Sequence, residues 1–591
     1  MTHMTSPGLP ESLRRRVQSF ASRPSLVALV VPLLLTQCGG DAVDKPTSPG
    51  SGDGVPSGAT TTDGGGADSA SRVDAARPGD ARDASPDAIT VPQPSTKGVR
   101  AFYTDITSGP STGGQGGKGA FVSVYGRGFG ASQGSSTVTI GGGAADNYPL
   151  WTDSKIVAQL GAGAHTGAVV VNVSGKGASN GLPFTVRSGN IYFVATTGAD
   201  ANDGTFAQPW QSLLAAKTRL MPGDILYVMD GVTQTTADYA SAALCLANGY
   251  GCNTRAGTQV MPIAMVVYPG ARATVGCGDA SCPGIGIRLM LEYWTVAGFD
   301  AVANTGGFSA AFDVSPLDGV GATVAVRGQR IIGNRMTGGY YGMSMSAVSE
   351  INVLGNEVFA VPHSAIYHGG YGPSENSEVA WNWIHDIGAD GFGVKYYGHA
   401  ARDSASGISI HDNLIYNTKR APILVGGSDG HAPWIHDTRI YNNVIFGFGP
   451  GPEGAIRIGN AGVDETLADV VISHNTLVDN NNSIEIDACR SATIVNNVFA
   501  QSSGAFVAGH LGSGAITFDH NLWFGGTGAP SDAHAVTGDP MFVNGTGHDY
   551  RLRAGSPALD IGINAMVWLD FDGNPRPTGG GPDLGAFELV P

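Results

Sequence analysis

The chain has 591 residues, of which 14% are charged and 89 are glycine, and its formal net charge is −16. An excess of acidic groups argues against nucleic acid as a partner, because phosphate binding needs a basic surface. The glycine content favours a turn-rich all-β protein, since glycine supplies the positive-φ positions of tight turns.

The first 38 residues have the features of an export signal. Four arginines between positions 14 and 23 precede the apolar run Ser25–Leu35, which is too short for a membrane span. The following LTQC resembles a bacterial lipobox, although Gln37 replaces the usual small residue. The resemblance implies lipidation of Cys38 and an outer-membrane or cell-surface lipoprotein that meets the membrane only through its lipid. A plain secretory signal is the alternative.

Residues 39–98 are rich in Gly, Ser, Asp, Ala, Thr and Pro and have almost no large apolar side chains. Such a segment cannot bury enough surface to offset its chain entropy. We therefore predict a disordered linker between the lipid anchor and the folded part.

Five more cysteines follow in the part that we expect to be exported. Cys245 lies close to Cys252, and Cys277 lies close to Cys282. Two local disulfides are expected in an oxidising compartment. Zinc is the alternative, weakened by the lack of paired histidines. Cys489 is left over, and we expect it to be buried.

Residues 99–187 contain short segments of alternating polarity between glycine turns, which predicts a small β-domain. The strings FVSVYGRGFG, LWTDSKIVAQL and VVVNVSGKGASN occur in the order found in IPT/TIG domains. The segment resembles that immunoglobulin-like family. The resemblance implies a β-sandwich that serves as a spacer or contact module, with no catalytic role.

The next segment begins with a strand, a turn containing Asp200 and Asp203, and the sequence Pro222–Gly223–Asp224. It resembles the start of many exported parallel β-helix proteins. The resemblance implies a short helix between the two motifs, which would cover the open end of the β-helix core and protect its sheet edges.

An asparagine repeat is the strongest internal pattern of the chain. It follows a short alternating strand at intervals of 22, 26, 31, 30, 32, 22 and 24 residues. One coil of a solenoid per repeat explains these intervals, with loop insertions in the middle coils. Asparagine tolerates left-handed turns, and stacked amides can hydrogen-bond from coil to coil. We predict a right-handed parallel β-helix over residues 188–540, with these repeat asparagines: Asn334, Asn356, Asn382, Asn413, Asn443, Asn475, Asn497 and Asn521.

Residues 541–591 contain HDYRLRAGSPALDIG and LDFDGNPRPTGGGPDLGAFE. These strings resemble the choice-of-anchor type of C-terminal region in secreted β-helix proteins, which implies secretion or surface retention. Asp570, Asp572 and Asp583 are candidate Ca²⁺ ligands, or they form turns.

A second strand in each coil places candidate functional residues on one outer face. Apolar pairs such as Ile456 and Ile458 should point inward, so the residues beside them point outward. This pattern predicts a face with Lys395, Arg457, Glu485 and Asp487, and nearby we place Tyr367, His368, Asp386, Asp390, Tyr396, Tyr397 and His399. The alternative is an ordinary polar surface on which Arg457 pairs with the carboxylates.

Proteins that resemble this one include polysaccharide lyases and glycoside hydrolases. In a lyase, Lys395 would be the base and Arg457 would neutralise the uronate carboxylate, with Ca²⁺ possible at Asp386 and Asp390. In a hydrolase, Glu485 would work with Asp390 or Asp487. We favour binding and β-elimination of an acidic polysaccharide. A non-catalytic adhesion or glycan-binding protein is the alternative from another class.

Overall fold

The computed structural model describes residues 98–590 except 240, 250, 317–324, 370, 371, 389, 400–402, 428–432, 450, 460–465, 509, 510, 512 and 513. The predicted signal, Cys38 and nearly all of the predicted linker lie outside the described residues. No helix in the described part is long and apolar enough to cross a membrane.

Three long parallel sheets run side by side from residue 191 to residue 537, so this part of the chain is a parallel β-helix, as predicted. Most strands pair in parallel with the strand of the same sheet one coil later. The inward side chains of all three sheets form one continuous apolar core. That core holds the sheets in register, because a slip of one residue would turn every buried side chain to the surface.

The strands of the three sheets have the following bounds. The first sheet contains Ile191–Val194, Ile225–Val228, Ile263–Val267, Trp294–Ala297, Val326–Arg327, Arg330–Ile332, Val348–Ser349, Asn352–Leu354, Ser374–Glu375, Glu378–Ala380, Ala405–His411, Ile435–Tyr441, Val470–Ser473, Ser491–Val495 and Ala515–Asp519. The second sheet contains Thr233–Gln234, Thr274–Gly276, Asp300–Ala303, Arg335–Gly338, Glu357–Phe359, Trp383–His385, Leu414–Tyr416, Val444–Phe446, Thr476–Val478, Val498–Ala500, Leu522–Phe524 and Val536–Thr537. The third sheet contains Ala242–Leu246, Ile285–Leu289, Ala310–Val314, Tyr341–Met345, Ser364–Gly369, Phe392–Gly398, Ile423–Gly427, Ile456–Ile458, Asn482–Ile486 and Ala505–Val507.

The repeat asparagines form a hydrogen-bonded column at the corner between the first and second sheets, which we call the asparagine ladder. At each step the backbone N–H and the side-chain Nδ2 of one asparagine both donate to Oδ1 of the asparagine in the next coil, at 2.9–3.1 Å. All eight are at most 1% exposed. The left-handed conformation, however, belongs to the residue before each of them, such as Asp412, Asn442 and His474.

We expect Asn443→Ala to lower the free energy of unfolding by about 1–3 kcal/mol, because a buried donor or acceptor that loses its partner costs that much. Asn443 accepts the backbone N–H of Asn413 at 3.1 Å and donates to the carbonyl of Ile410 at 2.9 Å. Urea unfolding would measure the loss. Asn147→Ala, at an exposed asparagine, is the control, and equal stability of the two variants would contradict the role of the ladder.

Residues 98–187 fold into a β-sandwich of two sheets. Its inner apolar side chains continue into the outer face of the first sheet of the β-helix. Tyr227 of that face exchanges hydrogen bonds with the backbone of Phe121, and Phe102 stacks on Trp381 at 5.7 Å. The sandwich strands are Arg100–Thr104, Phe121–Arg127, Lys155–Gln159 and Asn147–Trp151 in one sheet, and Ser108–Gly109, Leu182–Val186, Gly167–Val173, Thr137–Ile140, Gly143–Ala144 and Gly177–Ala178 in the other, with a 3₁₀ turn at Gln115–Gly117.

The helix predicted near the start of the β-helix is present as Leu213–Lys217. The hydroxyl of Ser212 caps it by accepting the N–H of Ala215 at 3.1 Å. Leu213 and Ala216 pack into the main core. Both predicted disulfides are formed, Cys245–Cys252 and Cys277–Cys282, and Cys489 is a buried free thiol as expected.

The C-terminal region covers the outer face of the second sheet. Tyr550, Leu552 and Leu584 share an apolar cluster with side chains of that face. The region contains the paired strands Phe542–Asn544 and Asp549–Leu552 and a 3₁₀ turn at Gly545–Gly547. Within the described part of the chain, both terminal regions make their hydrogen bonds and core contacts with the first two sheets, with the turns that border those sheets and with each other. The third sheet therefore presents its outer face outside these contacts.

Candidate active site

Successive coils of the third sheet bring the predicted outward residues into one column. Strand register pairs Tyr367 with Lys395, Lys395 with Leu424, Leu424 with Arg457, and Arg457 with Glu485. Lys395 and Arg457 are thus two coils apart, as the sequence predicts.

Lys395 lies against aromatic rings on this face. Its Nζ atom is 4.3 Å from the ring centres of Phe392 and Tyr397 and 5.5 Å from that of Tyr367. Within the described ranges, no carboxylate oxygen lies within 4 Å of the ammonium. The residue is 9% exposed, so the charge is partly desolvated, and its direct contacts are with ring faces.

This environment lowers the pKa of Lys395 to about 8, because of burial first and the positive charges of Arg420 and Arg457 next. The guanidinium carbon of Arg420 lies 4.4 Å from the Phe392 ring that also supports Lys395. Two cations therefore share one aromatic ring. At neutral pH a fraction of the Lys395 amine is deprotonated and able to accept a proton.

Arg420, Glu453, Arg457, Glu485 and Asp487 form a charged network beside Lys395. Arg420 donates to Glu453 through Nε at 2.9 Å and through Nη2. Arg457 contacts Glu453 at 2.8 Å, Glu485 at 3.2 Å and Asp487 at 3.4 Å. Although burial alone would raise the pKa of Glu453, the two arginines hold it below its usual value. Glu453 is therefore a fixed anion that positions both arginines.

Glu485 has a different electrostatic environment from Glu453. Its pKa rises to about 7 because of burial and the neighbouring carboxylate of Asp487, against the opposing effect of Arg457. The carboxylate also accepts the backbone N–H of Gly454 at 3.0 Å. The Glu485 carboxyl can therefore hold a proton near neutral pH.

Aromatic side chains extend this face toward the N-terminal coils. Tyr341 stacks on Tyr367 at 4.8 Å, Tyr340 stacks on His363 at 4.4 Å, and Phe308 meets the Tyr340 ring edge at 5.8 Å. Phe308 is 85% exposed. Burial, together with Lys395, lowers the pKa of His363 to about 4, so its imidazole is neutral at pH 7. The face offers flat apolar surfaces next to the charged groups.

Two further predicted residues, His399 and Asp390, lie at the border of this face. The hydroxyl of Tyr367 is 2.7 Å from Nε2 of His399, whose backbone N–H donates to Asp403 at 2.8 Å. The ring of His399 meets the edge of Tyr397 at 5.2 Å. Asp390 is exposed and interacts electrostatically with Tyr340, His363 and Arg420.

The structure corrects the predicted orientation of His368 and Tyr396. They are 3% and 1% exposed, their rings stack at 4.8 Å, and they share an inward column with Val425 and Ile458. His368 satisfies its Nε2 through Ser374 Oγ at 2.6 Å, which allows an imidazole to lie inside the coil. Phe392 lies under Lys395 on the outer face, although an apolar side chain at this position of the strand would be expected to point inward.

Within the described part of the chain, no three of the aspartates proposed as Ca²⁺ ligands have carboxylate oxygens within 4.8 Å of one another. Asp386 lies at the corner after the second sheet, where it contacts Nδ1 of His385 at 2.8 Å. Asp570 accepts the N–H groups of Asn574 and Glu588, Asp572 pairs with Arg127, and Asp583 accepts the N–H of Asp560. The bond from Asp570 to the N–H four residues later fits the alternative that these residues form turns, whereas Asp572 is an ion-pair partner, a role that was not predicted.

The sequence analysis did not identify Arg420, Glu453 or His363. Each lies three positions before the first inward residue of its strand: Ile366, Ile423 and Ile456. Tyr340 has the same offset from Met343. Aligning the coils on their inward residues and reading the position three residues earlier would have identified Tyr340, His363, Arg420 and Glu453.

The comparisons with known proteins concern the two main domains separately. Residues 103–186 match the IPT/TIG domain model, which confirms the resemblance of the first domain. No curated protein was found to match the chain in sequence.

Several solved structures are similar to this chain. They include pectate lyase Pel9A, with 15% identity over 68% of this chain and 97% of that one and a TM-score of 0.40. XylC in complex with xylose has 11% identity, coverage of 68% and 98%, and a TM-score of 0.39. A GH136 lacto-N-biosidase from Eubacterium ramulus has 16% identity, coverage of 56% and 67%, and a TM-score of 0.37.

Proposed function

We propose that the outer face of the third sheet binds an acidic polysaccharide and cleaves it by β-elimination. The observation that carries the proposal is Lys395, an amine with a pKa near 8 that lies on an outer face among rings and arginines. A lyase needs such a base to remove the proton next to a uronate carboxylate.

In the proposed step, the unprotonated Lys395 amine takes the C–H proton beside the carboxylate. The electron pair forms a carbon–carbon double bond, the C–O bond to the neighbouring sugar breaks, and solvent protonates the leaving oxygen. Arg420 neutralises the carboxylate. Glu453 binds the edge of its guanidinium that carries Nε and Nη2, and since the group has five N–H donors in all, donors remain for the substrate. Arg457, first predicted for this role, is instead held by three carboxylates and supports the network.

The aromatic column defines the expected path of the polymer. Coils stack about 4.8 Å apart, so the rings from Phe308 to Tyr397 span several coils along the axis of the β-helix. Exposed rings such as Phe308 can stack on the apolar faces of sugars. We therefore expect the chain of sugars to lie along the axis, with Tyr367, Tyr397 and His399 around the sugar that reacts.

We expect kcat/KM for uronate polymers to rise with pH and to level off above about 8. The catalytic form of Lys395 is the neutral amine, whose fraction grows as pH passes the pKa of about 8. The ultraviolet absorbance of the new double bond, followed on a panel of uronate polymers, gives the rate. A pH-independent rate of elimination would contradict Lys395 as the base.

A glycoside hydrolase is the second candidate, favoured by the raised pKa of Glu485 and by the neighbouring carboxylate of Asp487. A protonated Glu485 could act as the general acid. Its activity would fall as pH rises through about 7, which is the opposite sign from the lyase. Reducing ends without absorbance, lost in Glu485→Gln, would identify this reaction.

Export to an oxidising compartment completes the proposal, and the two disulfides support it. An acidic polysaccharide outside the cell would then be the accessible substrate. If the full panel shows no bond cleavage but binding persists, the protein is a glycan-binding surface protein, and the catalytic proposal fails.

A further inference from the structure

A cluster of two imidazoles and a carboxylate lies at the last coil of the β-helix, away from the third sheet. Asp519 ends the last strand of the first sheet, and His520 is the left-handed residue before Asn521. His534 comes from the segment that folds back over this coil. Backbone bonding fixes the approach, since the N–H of Ala533 donates to the carbonyl of Phe518 at 3.2 Å.

The three side chains converge on a single oxygen atom. Nδ1 of His520 is 2.8 Å and Nδ1 of His534 is 2.7 Å from Oδ1 of Asp519. The two imidazole centres are 4.4 Å apart. In the described part of the chain, this is the one group of three His, Cys, Asp or Glu residues whose ligand atoms lie within 4.8 Å of one another.

We infer that Asp519, His520 and His534 bind a transition-metal ion of the Zn²⁺ class. Imidazole nitrogens favour Zn²⁺, Ni²⁺ and Cu²⁺, whereas Ca²⁺ and Mg²⁺ prefer sites made of oxygen atoms. Two nitrogens and one oxygen leave a fourth tetrahedral position for water. Zn–N and Zn–O bonds of about 2.0–2.1 Å separate tetrahedral ligands by roughly 3.3 Å, so the cluster must open by about half an ångström.

The exposure of the cluster permits this adjustment. The side chain of His534 is 65% exposed, against 19% for His520 and 32% for Asp519. His534 can therefore move outward, and the His520–Asp519 contact at 2.8 Å can widen by small rotations of these two side chains. An ion bound there would join the returning segment to the end of the β-helix, which ties metal binding to the stability of that end.

Isothermal calorimetry on the full chain without an affinity tag tests the site, using Zn²⁺ and Ca²⁺ as separate titrants. We expect one Zn²⁺ per chain, a higher melting temperature with Zn²⁺, and no comparable response to Ca²⁺. His534→Ala should weaken Zn²⁺ binding at least about tenfold, because it removes one of three ligands. His520→Asn tests a second ligand while keeping a residue that tolerates the left-handed turn.

The matched control is His436→Ala, which removes another His–Asp contact, with Nδ1 of His436 2.8 Å from Asp437. It should leave Zn²⁺ affinity unchanged. The site would be disproved by wild-type affinity in His534→Ala, by equal losses in His534→Ala and His436→Ala, by Ca²⁺ binding as tight as Zn²⁺, or by the absence of Zn²⁺ binding. None of these outcomes depends on activity toward a polysaccharide.

Discussion

Replacing Lys395 by arginine should lower kcat by about 10²–10⁴-fold, the usual contribution of a general base, with polymer affinity within a few-fold of wild type. Arginine keeps the positive charge and can still lie on the rings of Phe392 and Tyr397. A guanidinium does not lose its proton in a protein, so it cannot accept one from the substrate. A lower kcat with little change in KM therefore identifies a base, whereas a higher KM with unchanged kcat identifies a residue that only binds the polymer.

Lys395→Met extends this test by removing the charge and keeping the length of the side chain. It should reduce kcat as strongly and also raise KM for an anionic polymer. Lys155→Met is the matched control, because Nζ of Lys155 also lies over a ring, 5.1 Å from the centre of Tyr125 in the N-terminal sandwich. Full turnover in Lys395→Arg would end the proposal that Lys395 is the base.

Ile494→Asp should unfold the β-helix, with a loss of about 4–5 kcal/mol or more. Ile494 is fully buried in the main core. The substitution removes its apolar contacts and places a carboxylate where no partner is available. Far-UV circular dichroism and the soluble yield would report the loss of structure.

Thr493→Asp is the control within the same strand. Thr493 is exposed and points to the other side of the sheet, where a carboxylate remains hydrated. We expect its stability to change by less than about 0.5 kcal/mol. Similar behaviour of the two variants would show that the strand does not have the register described above.

The fold could be predicted because eight successive coils have an asparagine at the same position, from Asn334 to Asn521. Neighbouring ladder asparagines hydrogen-bond to each other, so each of these coils contains one even where insertions of up to ten residues lengthen the interval. The residue that takes the left-handed conformation is less restricted and includes Gly, Trp, Asp, Asn and His. Because this residue varies, the sequence analysis placed the left-handed turn at the asparagine, which is one residue too late.

The candidate site was predicted only in part, because polarity alone does not decide which way a side chain points. The rings of Tyr396 and His368 stack on each other inside the coil, whereas the apolar ring of Phe392 lies outside and contacts two cations. Arg420 and Glu453 lie before their strands, where alternation does not apply. Their positions depend on stacking of the coils, which becomes apparent only after the inward residues are aligned.

The asparagine ladder also has an electrical polarity. All eight side-chain amides donate in the same direction, so their dipoles add along a column about 34 Å long at the usual coil rise. The positive end is at Asn521, whose N–H and Nδ2 both donate to Oδ2 of Asp532, at 3.2 and 2.9 Å. A carboxylate, rather than a ninth amide, ends the column. The last coil is thus closed electrostatically in the way that an acidic residue closes the N-terminus of an α-helix.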